Sequence, residues 1–204
     1  MPSALFIALF GYLLGSIPSG LLLSKLFSKV DPRQTGSKNI GATNVFRTAG
    51  KTLGILTLIG DVLKGLIPVW AALHWGVTDQ WGVSSDTWTA LVGLSPFLGH
   101  VFPIFLGFKG GKGVATAVGV YLPISPIAVL IEVFVFAGIV WKWRYVSLGS
   151  MTCAVTIPIL LAYFRSDSQA YFILSIIMAA LILYRHQSNI VRLLQGTENK
   201  WKMG

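Results

Sequence analysis

The 204-residue chain is 54% hydrophobic and 11% charged, with a formal net charge of +9 and a mean hydropathy of +0.71. A chain this apolar is excluded from the ordinary soluble domains and reads as an integral membrane protein. Its basic excess is assigned to membrane orientation and anionic ligands, and nucleic acid is not expected as a partner.

The first apolar stretch, from Ala4 to Leu26, has no basic lead-in and no small-residue cleavage site, so it reads as a span and not a removable signal. Further apolar segments cover 52–76, 88–107, 113–123, 125–141, 147–164 and 169–185, the first being 4–27. A helix needs about 20 residues to cross the hydrocarbon core. Pro123-Ile124-Ser125-Pro126 interrupts 113–141, as a kink within one span or a turn between two.

Charge separates these alternatives, because cytoplasmic loops collect Lys and Arg. With seven spans and the N-terminus outside, the cytoplasmic side holds Lys29, Arg33, Lys38, Arg47, Lys51, Lys109, Lys112, Lys142, Arg144, Arg185, Arg192, Lys200 and Lys202, against Arg165 alone outside: thirteen against one. Joining 113–141 into one span gives eight against six. The expected fold is therefore an all-α polytopic membrane protein, a single membrane domain over 1–204. It has seven transmembrane helices, some short or broken, an outer N-terminus and a cytoplasmic C-terminus. The 11 residues Gly113–Pro123 make only about 16 Å of helix, so the fourth helix is expected to begin below the membrane surface in a recessed polar pocket.

In chain order, the first candidate ligand-binding stretch is Gly36-Ser37-Lys38-Asn39-Ile40-Gly41-Ala42-Thr43-Asn44-Val45-Phe46-Arg47, rich in hydroxyls, amides and cations. Ala49-Gly50-Lys51-Thr52 imitates the end of a nucleotide P-loop but has Val45 where that motif needs glycine and no preceding strand. Asp61 and Lys64, three residues apart on one helix face, are expected to pair or to face a cavity. Glu132 is expected to face the bundle interior. Gly99-His100 leads into Gly107-Phe108-Lys109-Gly110-Gly111-Lys112-Gly113, whose glycines let backbone N–H groups approach an anion while Lys109 and Lys112 add charge. The helix restarting at Gly113 points its positive end at the same spot. No Ser or Thr follows Lys112, so this is not a nucleotide motif either. Ser147 is placed like an N-cap of the sixth helix. His186 and Asn189 share a face, with Arg185 and Arg192 nearby.

The lone Cys153 reads as core filler. Cytoplasmic acids are only Asp31 and Glu198, so neither a paired-carboxylate hydrolase nor a metal site is expected. A pocket of cations, hydroxyls and amides suits ligands with two or more negative charges and chemistry driven by positioning and charge neutralisation.

Five stretches in order resemble the bacterial acyl-phosphate:glycerol-3-phosphate acyltransferase family. They are Gly15-Ser16-Ile17-Pro18-Ser19-Gly20, Gly36 to Asn44 with Arg47, Gly60-Asp61-Val62-Leu63-Lys64-Gly65, Gly99 to Thr116, and Arg185-His186 to Arg192. The resemblance spans essentially the whole chain; Lys38 departs from it, a smaller residue being expected there. It implies acyl transfer from acyl phosphate to the 1-hydroxyl of glycerol 3-phosphate at the cytoplasmic face of the bacterial inner membrane. No cofactor, metal or protein carrier is implied, and a monomer is the simplest assembly. His186, Ser37, Arg47, Lys109 and Asn189 would serve the chemistry. Asn39, Thr43, Asn44, Gly110, Gly111, Lys112, Gly113, Ser147, His100 and Arg192 would bind substrate, the glycine-rich stretch forming one wall of a two-phosphate pocket. The alternative from another class is a transporter of a phosphorylated small molecule, against which the lack of inverted repeats argues.

Overall fold

The computed structural model describes residues 3–75, 77–79 and 81–201; Lys202, counted above among the cytoplasmic cations, lies outside the described residues. The chain divides into two compact units, Met1–Ile124 and Ser125–Gly204.

The first unit contains α1 (Ser3–Ser16), α2 (Ser19–Phe27), α3 (Ala42–Ala49), α4 (Lys51–His74), α5 (Ser85–Val101), a 3-10 turn at Ile104–Leu106, and α6 (Val114–Ile124). Pro18 has no N–H and interrupts the first apolar stretch, separating α1 from α2 at Ile17 and Pro18. Ser84 caps α5, its Oγ accepting from the Thr87 N–H at 3.3 Å. α1 packs on α5 and α4 on α6. A Cβ on Gly65 would strike the Thr116 carbonyl and one on Gly119 the Val62 carbonyl, so α4 and α6 meet backbone to backbone, as membrane helices do through small residues.

The second unit contains α7 (Pro126–Trp143), α8 (Val146–Phe164), α9 (Gln169–Arg185) and α10 (Gln187–Leu194). α8 lies between α7 and α9, and α9 and α10 are bent by 57° at His186. Across 113–141 the backbone forms two helices: α6 ends at Ile124, and Pro126 begins α7 at a position where its missing N–H costs nothing.

Burial is inverted relative to a soluble protein. Phe6, Leu26, Phe134, Trp141 and Ile159 are each at least 66% exposed, whereas Ser16, Thr57, Asp61, Lys64, His100, Glu132, His186 and Asn189 are buried. Apolar surface outside and polar groups inside suit a lipid environment. Among the described residues, five stretches are long and apolar enough to cross a membrane: Ala4–Phe27, Lys51–His74, Ser85–Leu106, Pro126–Trp143 and Val146–Phe164. The bent α9–α10 pair makes a sixth if taken as one span. α6 is apolar but only 11 residues long.

Candidate functional site

In the first unit the loop before α3 is organised by Asn44. Its Oδ1 accepts from the Ser37 N–H at 2.8 Å, and its Nδ2 lies 2.8 Å from Pro32 O, 3.1 Å from Thr35 O and 2.8 Å from Asn39 O. The buried Asn44 amide therefore acts within its own loop, a correction to its expected place on a substrate phosphate. Asn39 likewise turns its Oδ1 to the Gly41 N–H at 2.9 Å. Ser37 and Thr43 are half-buried, and Arg47 is exposed in the last turn of α3. At Lys38, the departure from the family pattern, φ is +56°, a left-handed conformation that a larger side chain adopts at a cost of about 1–2 kcal/mol. In the same loop, Arg33 holds the Asp31 carboxyl well below the usual carboxylate range through a two-pronged hydrogen bond.

The glycine-rich segment is folded back on the end of α5. The Gly110 N–H donates to Val101 O at 3.2 Å and the Gly111 N–H to His100 O at 3.0 Å. These two N–H groups therefore close a turn, which corrects the expectation that they approach an anion. What the segment does require of Gly111 is closeness: a Cβ there would strike the His100 ring at Nε2. Lys109 is exposed, Lys112 half-buried and Gly113 buried. The α6 ladder begins with the Ala117 N–H on Gly113 O at 2.8 Å, leaving the first-turn N–H groups without partners inside the helix.

Behind the segment lies a buried polar chain. Lys64 Nζ is 2.8 Å from Asp61 Oδ1 and donates to Ile17 O at 3.2 Å; Asp61 Oδ1 is 3.7 Å from His100 Nδ1. The Pro18 break leaves the Ile17 carbonyl outside a regular helix, where it accepts from the Ser19 N–H at 3.0 Å and from Lys64, and Asp61, paired with Lys64, faces His100, whose ring supports Gly111. Asp61 and Lys64 thus pair as expected, and His100 sits between that pair and the glycine segment. The link through Ile17 was missed by sequence reasoning, although Pro18 opposite an intramembrane lysine was its signal.

In the second unit, His186 is buried at the bend between α9 and α10. Its Nδ1 donates to Ile182 O at 2.8 Å; because a carbonyl only accepts, Nδ1 carries a proton, and in the neutral form of the ring Nε2 is then the acceptor nitrogen. Ser147, in the first turn of α8, and Asn189 and Arg192, on one face of α10, converge on Glu198. Ser147 Oγ donates to Oε1 at 2.9 Å, Asn189 Nδ2 to Oε1 at 2.7 Å, and Arg192 Nε to Oε2 at 2.7 Å. Burial pushes the Glu198 carboxyl up, but the bonds from Asn189, Arg192 and Ser147 outweigh it and hold the group below its ordinary value. The expected Arg192 cation is thus matched by an internal carboxylate, and Glu198 is a participant that sequence reasoning missed; its signal was a lone acid in a basic tail. Glu132 is buried, as expected, and its Oε1 accepts from Thr156 Oγ1 at 2.7 Å.

The structure therefore brings together three sets: Ser37, Asn39 and Asn44; Asp61, Lys64, His100 and Gly111; and Ser147, Asn189, Arg192 and Glu198.

A family model described as glycerol-3-phosphate acyltransferase matches residues 5–196. A glycerol-3-phosphate acyltransferase of Geotalea daltonii is 52% identical over 202 residues, covering 99% of this chain and 100% of that one. One of Geobacter metallireducens is 54% identical over 191 residues, 94% of each. Among solved structures, the glycerol 3-phosphate form of PlsY (YgiH), described as an integral membrane glycerol 3-phosphate acyltransferase, superposes with a TM-score of 0.89 at 43% identity, over 98% of this chain and 96% of that one. Its lysophosphatidic acid form gives 0.86 at 42% identity with the same coverage. With the apolar helices, the buried polar chains and these likenesses over nearly its whole length, the chain belongs to the glycerol-3-phosphate acyltransferase family of integral membrane enzymes.

Proposed function

We propose that the chain transfers a fatty acyl group from acyl phosphate to the 1-hydroxyl of glycerol 3-phosphate, giving lysophosphatidic acid and inorganic phosphate. Family membership supports the acceptor, and the solved relative's lysophosphatidic acid form supports the product. The observation that carries the choice of donor is the commitment of the acids: Asp61 is bound to Lys64 and Glu198 to Ser147, Asn189 and Arg192. Among the residues proposed to meet substrate, that leaves cations, hydroxyls, amides and imidazole. A mixed anhydride suits that equipment, because phosphate is a good leaving group and no protein nucleophile is needed.

In the proposed step the glycerol hydroxyl oxygen bonds to the acyl carbonyl carbon, the bond from that carbon to the phosphate oxygen breaks, and the hydroxyl proton passes to a substrate phosphate oxygen. Lys109, Lys112, Gly113 and the first turn of α6 hold phosphate, and Ser37 from the loop binds phosphate together with Thr43 and Arg47 from α3. Asn39, Asn44, His100, Gly110 and Gly111 fix the shape of those segments. His186 and Asn189 orient the acceptor, with Ser147 and Arg192. The alternative assigns the proton to His186 Nε2, an acceptor in the tautomer described above. His186→Asn decides between them: substantial turnover at saturating substrate removes the general-base version.

The same proposal places the chain as one seven-span, monomeric membrane domain of a bacterial inner membrane, N-terminus outside and catalytic residues cytoplasmic, with α6 as a partial span and α9 as the last crossing. The charge asymmetry of the loops supports this orientation. The deciding experiment uses purified protein in detergent. Phosphate is released from palmitoyl phosphate only when glycerol 3-phosphate is present, and palmitoyl-CoA does not replace the donor. No release refutes the acyl-phosphate reading.

A further inference from the structure

Glu198 lies in the segment after α10 and reaches back to the groups proposed to contact the acceptor substrate. Its side chain is 5% exposed. The segment is fixed further along by the Trp201 N–H, which donates to Arg144 O at 2.6 Å.

What a carboxylate does to its neighbours follows from donor counting. Ser147 has one O–H, and it is directed at Oε1, so the serine oxygen can offer a further partner only lone pairs. Asn189 presents Nδ2 to the same oxygen, which turns its carbonyl oxygen away from the carboxylate, since two acceptors repel. Arg192 places Nε on Oε2, and its charge is matched. Phosphate needs donors and uncompensated positive charge. This group supplies oxygen acceptors and a neutralised cation, with a fixed negative charge at its centre, and so suits the O–H groups of a polyol.

We propose that Glu198 is a positioning and specificity residue: it converts the Ser147, Asn189 and Arg192 group from an anion site into a hydroxyl-recognising site for the glycerol part of the acceptor. The inference rests on the reading of Ser147 and Asn189 as substrate contacts. It separates the labour of the catalytic residues, the hydroxyls being read by the Glu198 group and phosphate held elsewhere.

The test compares wild type, Glu198→Gln, Glu198→Asp and Ser147→Ala as full-length protein in detergent, with palmitoyl phosphate as donor. Glu198→Gln keeps the shape but loses the charge and adds a donor. Its KM for glycerol 3-phosphate should rise about tenfold, the value of one charge-assisted hydrogen bond, while the KM for palmitoyl phosphate stays unchanged. Inorganic phosphate should inhibit it more strongly against glycerol 3-phosphate, because Arg192 and the Ser147 hydroxyl are released toward anions. Glu198→Asp, which keeps the charge, should leave phosphate inhibition as in wild type, with a smaller rise in KM; it decides the matter by the same readouts if Glu198→Gln does not survive purification. A lower melting temperature with both KM values and phosphate inhibition unchanged would make Glu198 merely structural and overturn the proposal. If Ser147→Ala leaves the KM for glycerol 3-phosphate unchanged, the substrate-contact reading fails and the proposal falls with it. If Ser147→Ala raises that KM and Glu198→Gln does not, only the Glu198 proposal fails.

Discussion

Lys64→Met tests the buried chain behind the glycine-rich segment. Lys64 and Asp61 have side chains 4% and 3% exposed and lie 2.8 Å apart, and Lys64 also satisfies Ile17 O at 3.2 Å. Methionine fills similar space but removes the charge and every donor. It strands a buried carboxylate, faced by His100 at 3.7 Å, and leaves a backbone carbonyl without its lysine. Removing one partner of a buried pair costs about 3–5 kcal/mol. At roughly 2–4 °C per kcal/mol for a chain of this size, the melting temperature should fall by about 6–20 °C. The assay is thermal unfolding in detergent followed by tryptophan fluorescence, for which the chain has 7 tryptophans. The Asp61→Asn/Lys64→Met double variant should recover about half of the loss or more, because the uncompensated charge is gone. A single variant within about 1 kcal/mol of wild type, or a double variant worse than the single, would refute the account of Lys64 as the group that makes Asp61 and the Pro18 break tolerable.

Gly111→Ala should lower turnover by about 100-fold in the phosphate-release assay, since the added Cβ meets the His100 ring and displaces the segment by the order of an ångström; unchanged turnover would mean that the packing of Gly111 on His100 does not position the chemistry. Glu198 also gives a pH dependence. Its folded-state carboxyl lies below the ordinary value of 4.5, so its contribution to stability is complete above that value and is lost as the pH falls through the depressed one. Melting temperatures measured toward acid should therefore fall more steeply in wild type than in Glu198→Gln, the two converging at the acid end; parallel curves would contradict the assignment.

The helices were legible because apolar runs in a membrane protein are long and their breaks are chemical: the glycines at 107–113 and Pro126 each ended a segment where the backbone does end one, whereas the break at Pro18 falls inside the expected 4–27 span. The half-length α6 followed from counting residues between Gly113 and Pro123, and the structure ends it at Ile124. Residue types at the candidate site were also legible, but their partners were not. Asn44 in a cation-rich loop reads as a ligand contact, yet its four hydrogen bonds go to its own loop, a use that depends on chain path and not on composition. The glycines at 110 and 111 suggested exposed N–H groups, but the turn that follows α5 uses both. Glu198 was visible only as one of two cytoplasmic acids, and nothing in its spacing announces that it reaches Ser147, 51 residues away.

The scarcity of acids explains how each unit is organised. A chain with 16 basic and 7 acidic residues has few carboxylates to place, and burial of one requires strong partners. In the first unit Asp61 takes Lys64 and faces His100, so the charge beneath the glycine-rich segment is internally balanced. In the second unit Glu198 takes Ser147, Asn189 and Arg192. Neither carboxylate is placed as an independent base; each fixes the direction of the donors around it. By contrast, Lys109 is exposed and has no ion pair among the described residues. Positive charge intended for a substrate must stay uncompensated until the substrate arrives, and charge that shapes a site must be compensated beforehand. On that criterion the two proposed roles differ: Lys109 would meet a substrate phosphate directly, whereas Arg192, already matched by Glu198, would orient the acceptor as part of a compensated group. Replacing the two by Met should therefore diverge: Lys109→Met raises the KM of a phosphate-bearing substrate with stability retained, whereas Arg192→Met lowers the melting temperature as well, by leaving Glu198 underpaired. Equal effects on KM with no stability difference would put Arg192 back among the substrate's own cations.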